Sequence, residues 1–365
     1  MLSNKDIFIF ELTYSMYRGD YLKELLKKLS EAPGVSGHEN TIKHLIKNEI
    51  NNYVDEIRED SMGNLITIKK GTGKFKVMIA AHMDEIGFMV KHIDDMGFIS
   101  FETVGGFDPR SLGSQRVKIH SAEGDYVGVI GIKPPHITPQ EEKDKALKVE
   151  DLRIDLGINT KEEVEKLGIK IGDPITRDIT FTTLGKDNIV SCKSFDNRAG
   201  CVILIEILKK IKNPDYTLYG VFTTQEEVGL RGAKTASYGL DIDFAIIVDS
   251  TVGGPIPKIE ADKVTIKLGK GPSIDLMDRG FILSQKIKEI LLKAANEANI
   301  PYQTHISSGS TDGAVVHVTK EGIPTAVISI PSKYIHSTVE IVDLNDLEST
   351  LNLAINSIEI AKNIL

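Results

Sequence analysis

The chain lacks most of what would mark a membrane, secreted or nucleic-acid-binding protein. Tryptophan is absent, which says nothing about chemistry. Two cysteines occur, Cys192 and Cys201. They form neither a zinc motif nor a disulfide framework, so a reducing cytoplasm is the simple expectation. No apolar run approaches the roughly 18 residues of a membrane span. The run at 7–10 is too short for a signal-peptide core, and no small-residue cleavage site follows it. Basic residues are dispersed, with no Lys/Arg block interleaved with aromatics, and the net charge is −8. Nucleic acid is therefore not the expected partner, nor is a membrane. Internal repeats and low-complexity tracts are missing too.

What is present is an ordinary globular composition, 41% hydrophobic and 26% charged over 365 residues. That length suits two or three domains, or one large α/β domain with an insertion. Leu22, Leu25, Leu26 and Leu29 share one helical face, predicting a helix over 21–29. Ser36 and Glu39 have capping-box spacing and should open a second helix. Residues 65–68 and 77–81 have strand character. From 87 to about 180 the texture changes to short apolar alternations broken by Gly, Asp and Pro, as in "QRVKIHSAEGDYVGVIGIKPP". This predicts a small β unit, barrel-like, inserted in the α/β sequence. Its polar stretch "ITPQEEKDKALKVEDL" is expected to be a mobile excursion. Strand and helix patterns then alternate: helix 198–211, strand 216–223, strand 244–248, helix 282–298, strand 325–330 and helix 344–365. Such alternation implies a mixed, largely parallel sheet flanked by helices, with ligands gathering at the carboxyl ends of its strands.

The residues just past the apolar runs carry the chemistry. After "VMIAA" stand His82 and Asp84. After "YGVFTTQ" stand the adjacent Glu226 and Glu227. After "FAIIV" stands Asp249, and after "TAVISIPSKY" comes His336. Asp196, in "SFDNRAG", precedes the 198–211 helix. Taken singly, each has an ordinary explanation. Paired glutamates are usually a solvated turn, Asp196 could be a helix N-cap, and Asp249 could be a turn residue. A lone histidine is usually structural or on the surface, and His38, His44, His92, His120, His136, His305 and His317 keep that explanation. The repeated strand-end placement is what favours a joint site. Imidazoles and carboxylates without thiolates suit a pair of divalent ions of the zinc, cobalt or manganese type, and one carboxylate can bridge two such ions. Asp84, two residues from His82, could accept the other imidazole N–H. At a strand end, adjacent glutamates can take different tasks, one holding metal and one acting as a base.

The segments "AAHMDEIGFMV", "SFDNRAG", "TTQEEVGLRGA", "IIVDS", "GSTDGAVVH" and "YIHSTVE" resemble, in order, the signatures of the tetrahedral aminopeptidases. These are also called the glutamyl or deblocking aminopeptidase family. The resemblance runs from about Leu22 to the C-terminus. It implies two metal ions bridged by Asp196, with His82 and Asp249 completing one site and Glu227 and His336 the other. It further implies Glu226 as general base and Asp84 as the residue that orients His82. The activity implied is removal of N-terminal residues from peptides. The implied organisation is a catalytic α/β domain, 1–84 and 181–365, with an inserted β domain at 85–180. That insertion would drive dimerisation within a hollow tetrahedral dodecamer. Residues 1–15 look like an extension, with Met16 as an alternative start. "GSTDG" stands where "GGTDA" is common, and "SKYIHS" where an Arg often precedes the Tyr. These departures bear on substrate preference, which the sequence leaves open along with the physiological metal and the final assembly.

Three other readings compete with it. An amidase or deacylase would share the metal chemistry. An endoglucanase would need two carboxylates flanking the bond from separate positions and would leave the histidines without a task. A non-catalytic scaffold would be favoured by a missing ligand or base, and none is missing. Asp312 is a secondary candidate, beside Glu226, for holding a substrate ammonium.

Overall fold

Aliphatic and β-branched runs become strands wherever both faces are covered. The structure, a computed structural model, describes residues 20–143 and 147–365. The expectations for 1–15 and Met16 lie outside the described residues. The chain enters through a helix over 20–31 (α1) and α2 (Asn40–Ile50), then forms β1 (Glu56–Glu59), β2 (Leu65–Lys69) and β3 (Lys76–His82). Next come β4 (Gly87–Ile93), β5 (Ile99–Val104), β6 (Gln115–Ser121), β7 (Gly124–Gly131), β8 (Arg153–Asp155) and β9 (Pro174–Arg177). The short helices α3 (Gln140–Lys143) and α4 (Lys161–Lys166) interrupt them. After β10 (Thr182–Thr183) and β11 (Ile189–Cys192), the chain runs through α5 (Phe195–Lys210), β12 (Thr217–Thr223), α6 (Arg231–Tyr238) and β13 (Phe244–Val252). It closes with β14 (Ser273–Met277), α7 (Gln285–Glu297), β15 (Gln303–Ile306), α8 (Gly313–Val316), β16 (Thr325–Ser332), β17 (Glu340–Asp343) and α9 (Leu344–Ala361).

Eight strands form one mixed sheet in the order β1-β2-β12-β3-β13-β16-β14-β15. Its centre, β12, β3, β13 and β16, is parallel, while β1, β2 and β12 pair antiparallel. The central strands are buried almost throughout, because helices cover both faces of a parallel sheet. Their side chains merge with those of α1, α2, α5, α7 and α9 into one large core. The six strands β4 to β9 close into an antiparallel barrel. Phe88, Val90, Phe101, Val117, Ile119, Ile154 and Ile175 fill it as a second, separate core.

One local expectation needs correction. The capping box does not form: Glu39 occupies the N-cap of α2 without a side-chain cap bond. Ser36 instead donates from Oγ to Asp84 Oδ2 at 2.6 Å, and Glu39 Oε1 accepts from Gly37 N and Gln225 N. A buried carboxylate next to a functional cluster is a better acceptor for that hydroxyl than a helix end already reached by water. Within the polar excursion at 137–152, α3 and a 3₁₀ turn at Val149–Asp151 are folded.

Candidate metal centre

The parallel register brings the strand ends to one line. Thr223 of β12 pairs beside His82 of β3, and the β3–β13 pairing runs up to Ile247 beside Ala80. His82 is thus the last residue of β3, and Asp249 lies two positions beyond Ile247 on β13. Glu226 and Glu227 sit in the turn after β12, where Gln225 takes a positive φ of 54°. His336 lies in the loop after β16 with φ of 59°. Asp196 and Asn197 depart from helical dihedrals, so regular α5 starts at Arg198 and Asp196 is freed to face the sheet edge.

All six expected first-rank residues and Asp84 converge. His82 Nε2 stands 3.1 Å from Asp196 Oδ1 and 3.7 Å from Asp249 Oδ1. His336 Nε2 stands 3.2 Å from Asp196 Oδ2 and 3.3 Å from Glu227 Oε2. Each oxygen of Asp196 therefore faces a different imidazole. The triples His82–Asp196–Asp249 and Asp196–Glu227–His336 each offer three ligand atoms within 4.8 Å of one another. Glu226 joins His82 and Glu227 in a third such triple, with its Oε2 3.9 Å from His82 Nε2. Asp84 Oδ1 lies 3.4 Å from His82 Nδ1 and accepts from Glu226 N at 3.0 Å, while Oδ2 accepts from Glu227 N at 3.2 Å. One carboxylate thus faces the imidazole of β3 and also fixes the glutamate turn after β12.

The electrostatics suit a cation. Burial and the neighbouring carboxylates, Asp249 and Glu227 among them, push Glu226 well above the ordinary carboxylate range. Burial and Asp196 do the same to Asp249. Burial opposes charging of His336, but its contacts with Asp196 and Glu227 prevail and raise it to about 11. Asp196, despite its burial, is held low by bonds to His336 and His82. Four carboxylates sharing two imidazoles in a nearly dry site lack positive charge. Glu227 Oε1 is buried with no hydrogen-bond partner among the described residues. Nitrogen and oxygen donors without thiolate, with an orphaned carboxylate oxygen among them, fit borderline divalent ions.

A supporting layer escaped the sequence reading. Glu85, fully buried, receives Lys193 Nζ at 2.7 and 2.9 Å, the hydroxyl of Ser194 and Gly34 N. Arg198 Nη2 lies 3.5 Å away. Those bonds grip the segment that leads into Asp196. Glu340 Oε2 accepts from Asp196 N at 2.9 Å, and burial raises its carboxyl to about 8. Arg177, at the end of β9, donates from Nη1 to the carbonyl of Ser337. The only sequence sign was charge inside otherwise apolar motifs, "DEIGF" and "SCKSFD". Asp312 is 1% exposed; its Oδ2 accepts from Thr223 Oγ1 at 2.6 Å, while its Oδ1 is buried with no hydrogen-bond partner among the described residues.

The remaining histidines stay outside these triples. His38, His44, His92 and His136 are exposed. His120 bonds Asp125 and Thr176, His305 bonds Ser273 and Thr251, and His317 bonds the Gly313 carbonyl.

Comparison with known proteins points the same way. A family model described as M42 glutamyl aminopeptidase matches residues 63–353. A protein of Acetivibrio thermocellus that carries an aminopeptidase name is 41% identical over 92% of this chain and 98% of its own. The crystal structure of a TET aminopeptidase from a marine-sediment thaumarchaeon superposes with a TM-score of 0.90 at 36% identity, covering 95% of this chain and all of that one. A Pyrococcus horikoshii TET peptidase that can assemble into a tetrahedron or a large octahedral shell matches with a TM-score of 0.83 at 35% identity, over 92% and 98% of the two chains.

Proposed function

The chain belongs to the M42 glutamyl aminopeptidase family and is a metal-dependent aminopeptidase, and we propose that it works through two divalent ions and a glutamate base. The observation that carries this reading is Asp196, whose two oxygens face His82 and His336 at 3.1 and 3.2 Å. Asp196 would bridge the pair, His82 and Asp249 would complete one site, and Glu227 and His336 the other. Zinc or cobalt suits that donor set, with manganese a third choice. Bound there, the ions would polarise the scissile carbonyl and acidify a water.

Glu226 is the remaining carboxylate at the edge of both triples. It would take the proton of the attacking water and pass it to the leaving amine. In the metal-free site, burial and neighbouring negative charge raise its proton affinity. Asp84 would hold the ring of His82 and the glutamate turn in register. A glycosidase arrangement is disfavoured: Glu226 and Glu227 offer oxygens within 4.8 Å of each other, short of the about 5–9.5 Å that flanks a sugar bond.

An exopeptidase must also sense the free α-amino group. The surplus carboxylates of the site, Glu226 foremost, would hold that ammonium through charge-assisted bonds. N-acetylated peptides should then be poor substrates, and a timed digest followed by mass spectrometry should show residues leaving one by one from the N-terminus. Internal fragments appearing first would overturn the reading.

The metal residues belong to the segments 1–84 and 181–365, and the insertion 85–180 contains the barrel. We assign the insertion to self-association, as a dimer building a tetrahedral dodecamer. The relative's ability to form a tetrahedron supports this. Two free, buried thiols accord with a reducing cytoplasm, and no described helix is long and apolar enough to cross a membrane.

A further inference from the structure

The loop that carries His336 has little regular structure. β16 ends at Ser332 and β17 begins at Glu340, and between them Tyr334 and His336 take positive φ of 57° and 59°. Lys333 pairs with Ile341 at its base. His336 is also the most exposed member of the candidate centre, its side chain 39% accessible. A ligand on such a loop needs an anchor from elsewhere.

The anchor comes from the barrel. Arg177 is the last residue of β9, 2% exposed, where the chain leaves the barrel. Its guanidinium carbon lies 5.7 Å from the ring centre of Phe107, which itself stacks on Phe88 of the barrel core at 4.7 Å. This holds the cation by a ring face on one side. On the other side Nη1 donates to the carbonyl of Ser337, the residue after His336. Its charge also acts on Glu340, which holds the backbone of Asp196, and on Glu85, which holds Lys193 and Ser194 just before it. Nε and Nη2 have no hydrogen-bond acceptor among the described residues. Glu85 is held charged while Glu340 is pushed up to about 8, so the cation is balanced chiefly by Glu85, and its one direct bond goes to the loop.

We infer that Arg177 is a positioning residue for His336, so that the barrel selectively shapes the half of the centre formed by Asp196, Glu227 and His336. The inference rests on the ligand assignment proposed above. His82 and Asp249 sit on central strands of the sheet and do not depend on this contact. Loss of the Arg177 bond should loosen one half and spare the other.

Arg177→Lys separates geometry from charge. Lysine keeps a cation near Glu85 and Glu340 but has neither the planar fork nor the reach. Arg177→Met keeps an apolar stem and removes both the charge and the fork, and Glu340 is left in place because it holds the backbone of Asp196. Zinc titration calorimetry of the metal-free full-length chain reads stoichiometry and both affinities, and urea unfolding reads stability. Both variants should lose about 10–100-fold at one site and change little at the other. His336→Ala, the control, should lose one equivalent outright. Wild-type affinities in Arg177→Lys, or equal losses at both sites, would overturn the inference. If His336→Ala still bound two equivalents, the ligand assignment itself would fail. If His336→Ala lost one equivalent while both Arg177 variants matched the wild type, only the positioning role would fall.

Discussion

Glu226 and Glu227 are neighbours in sequence and share a triple with His82, but only Glu227 belongs to a second one. Glu227 closes a triple with Asp196 and His336, whereas Glu226 stands 3.9 Å from His82 and outside that triple. Glu226→Gln keeps the shape and removes the proton acceptor. Turnover should fall by about 10²–10⁴-fold while metal content stays at the wild-type level. Glu227→Gln should instead weaken one metal equivalent. Steady-state kinetics beside elemental analysis separates the two, and the reverse pattern would exchange their roles. These residues were legible in the sequence because each is covalently next to an apolar run that had to become a buried strand. The side chains that hold them were not. Glu85 bonds Lys193 across 108 positions and Glu340 bonds Asp196 across 144, and no local pattern encodes pairings made only by tertiary folding.

Among elements, the helices were legible by periodicity and their fastenings were not. α1 appears where leucine spacing places it, and α2 and α5 appear close to where they were expected, but a single carboxylate ties the polar edges of the three together. Glu49 of α2 accepts from Lys28 of α1 at 2.8 Å and from Lys209 of α5 at 2.8 Å, with Tyr21 beside them. Burial works against its charge, yet the two lysine bonds prevail and bring its carboxyl down to about 2. A carboxyl lowered in the folded state contributes stability that is present above its unfolded value, near 4.5. That contribution disappears as pH falls toward 2. With partial exposure, solvent screening leaves about 1 kcal/mol. Glu49→Gln should therefore lower unfolding free energy by that amount at pH 7, and the gap should close by pH 2–3 in urea titrations of the metal-free chain. A gap that persists in acid would contradict the linkage. The failed capping box teaches a related lesson. Ser36 had the right spacing to cap α2, but a buried acceptor 48 positions away, Asp84, took its hydroxyl.

At the scale of the whole molecule, the change in sequence texture near Gly87 was enough to foresee a small β unit, because short alternating runs bury one face only when the sheet closes on itself or packs on another. What covers its outer face is not readable from alternation alone, since an outward apolar face looks the same whether it meets solvent or another copy. Val127 and Val129 on β7 are 47% and 45% exposed, side by side on the outer face. If the barrel mediates self-association, Val127→Glu/Val129→Glu should reduce the mass seen by light scattering and leave the metal content of each chain unchanged. An unchanged mass would remove β7 from the interface. If distant strand ends gather into a two-ion centre bridged by Asp196, the positions of the ions themselves reveal it. Anomalous diffraction at the zinc absorption edge, from crystals grown with zinc, should show two peaks per chain about 3.5–4 Å apart. One should lie beside His82 and Asp249 and the other beside Glu227 and His336, with Asp196 between them. A single peak, or peaks away from Asp196, would contradict it.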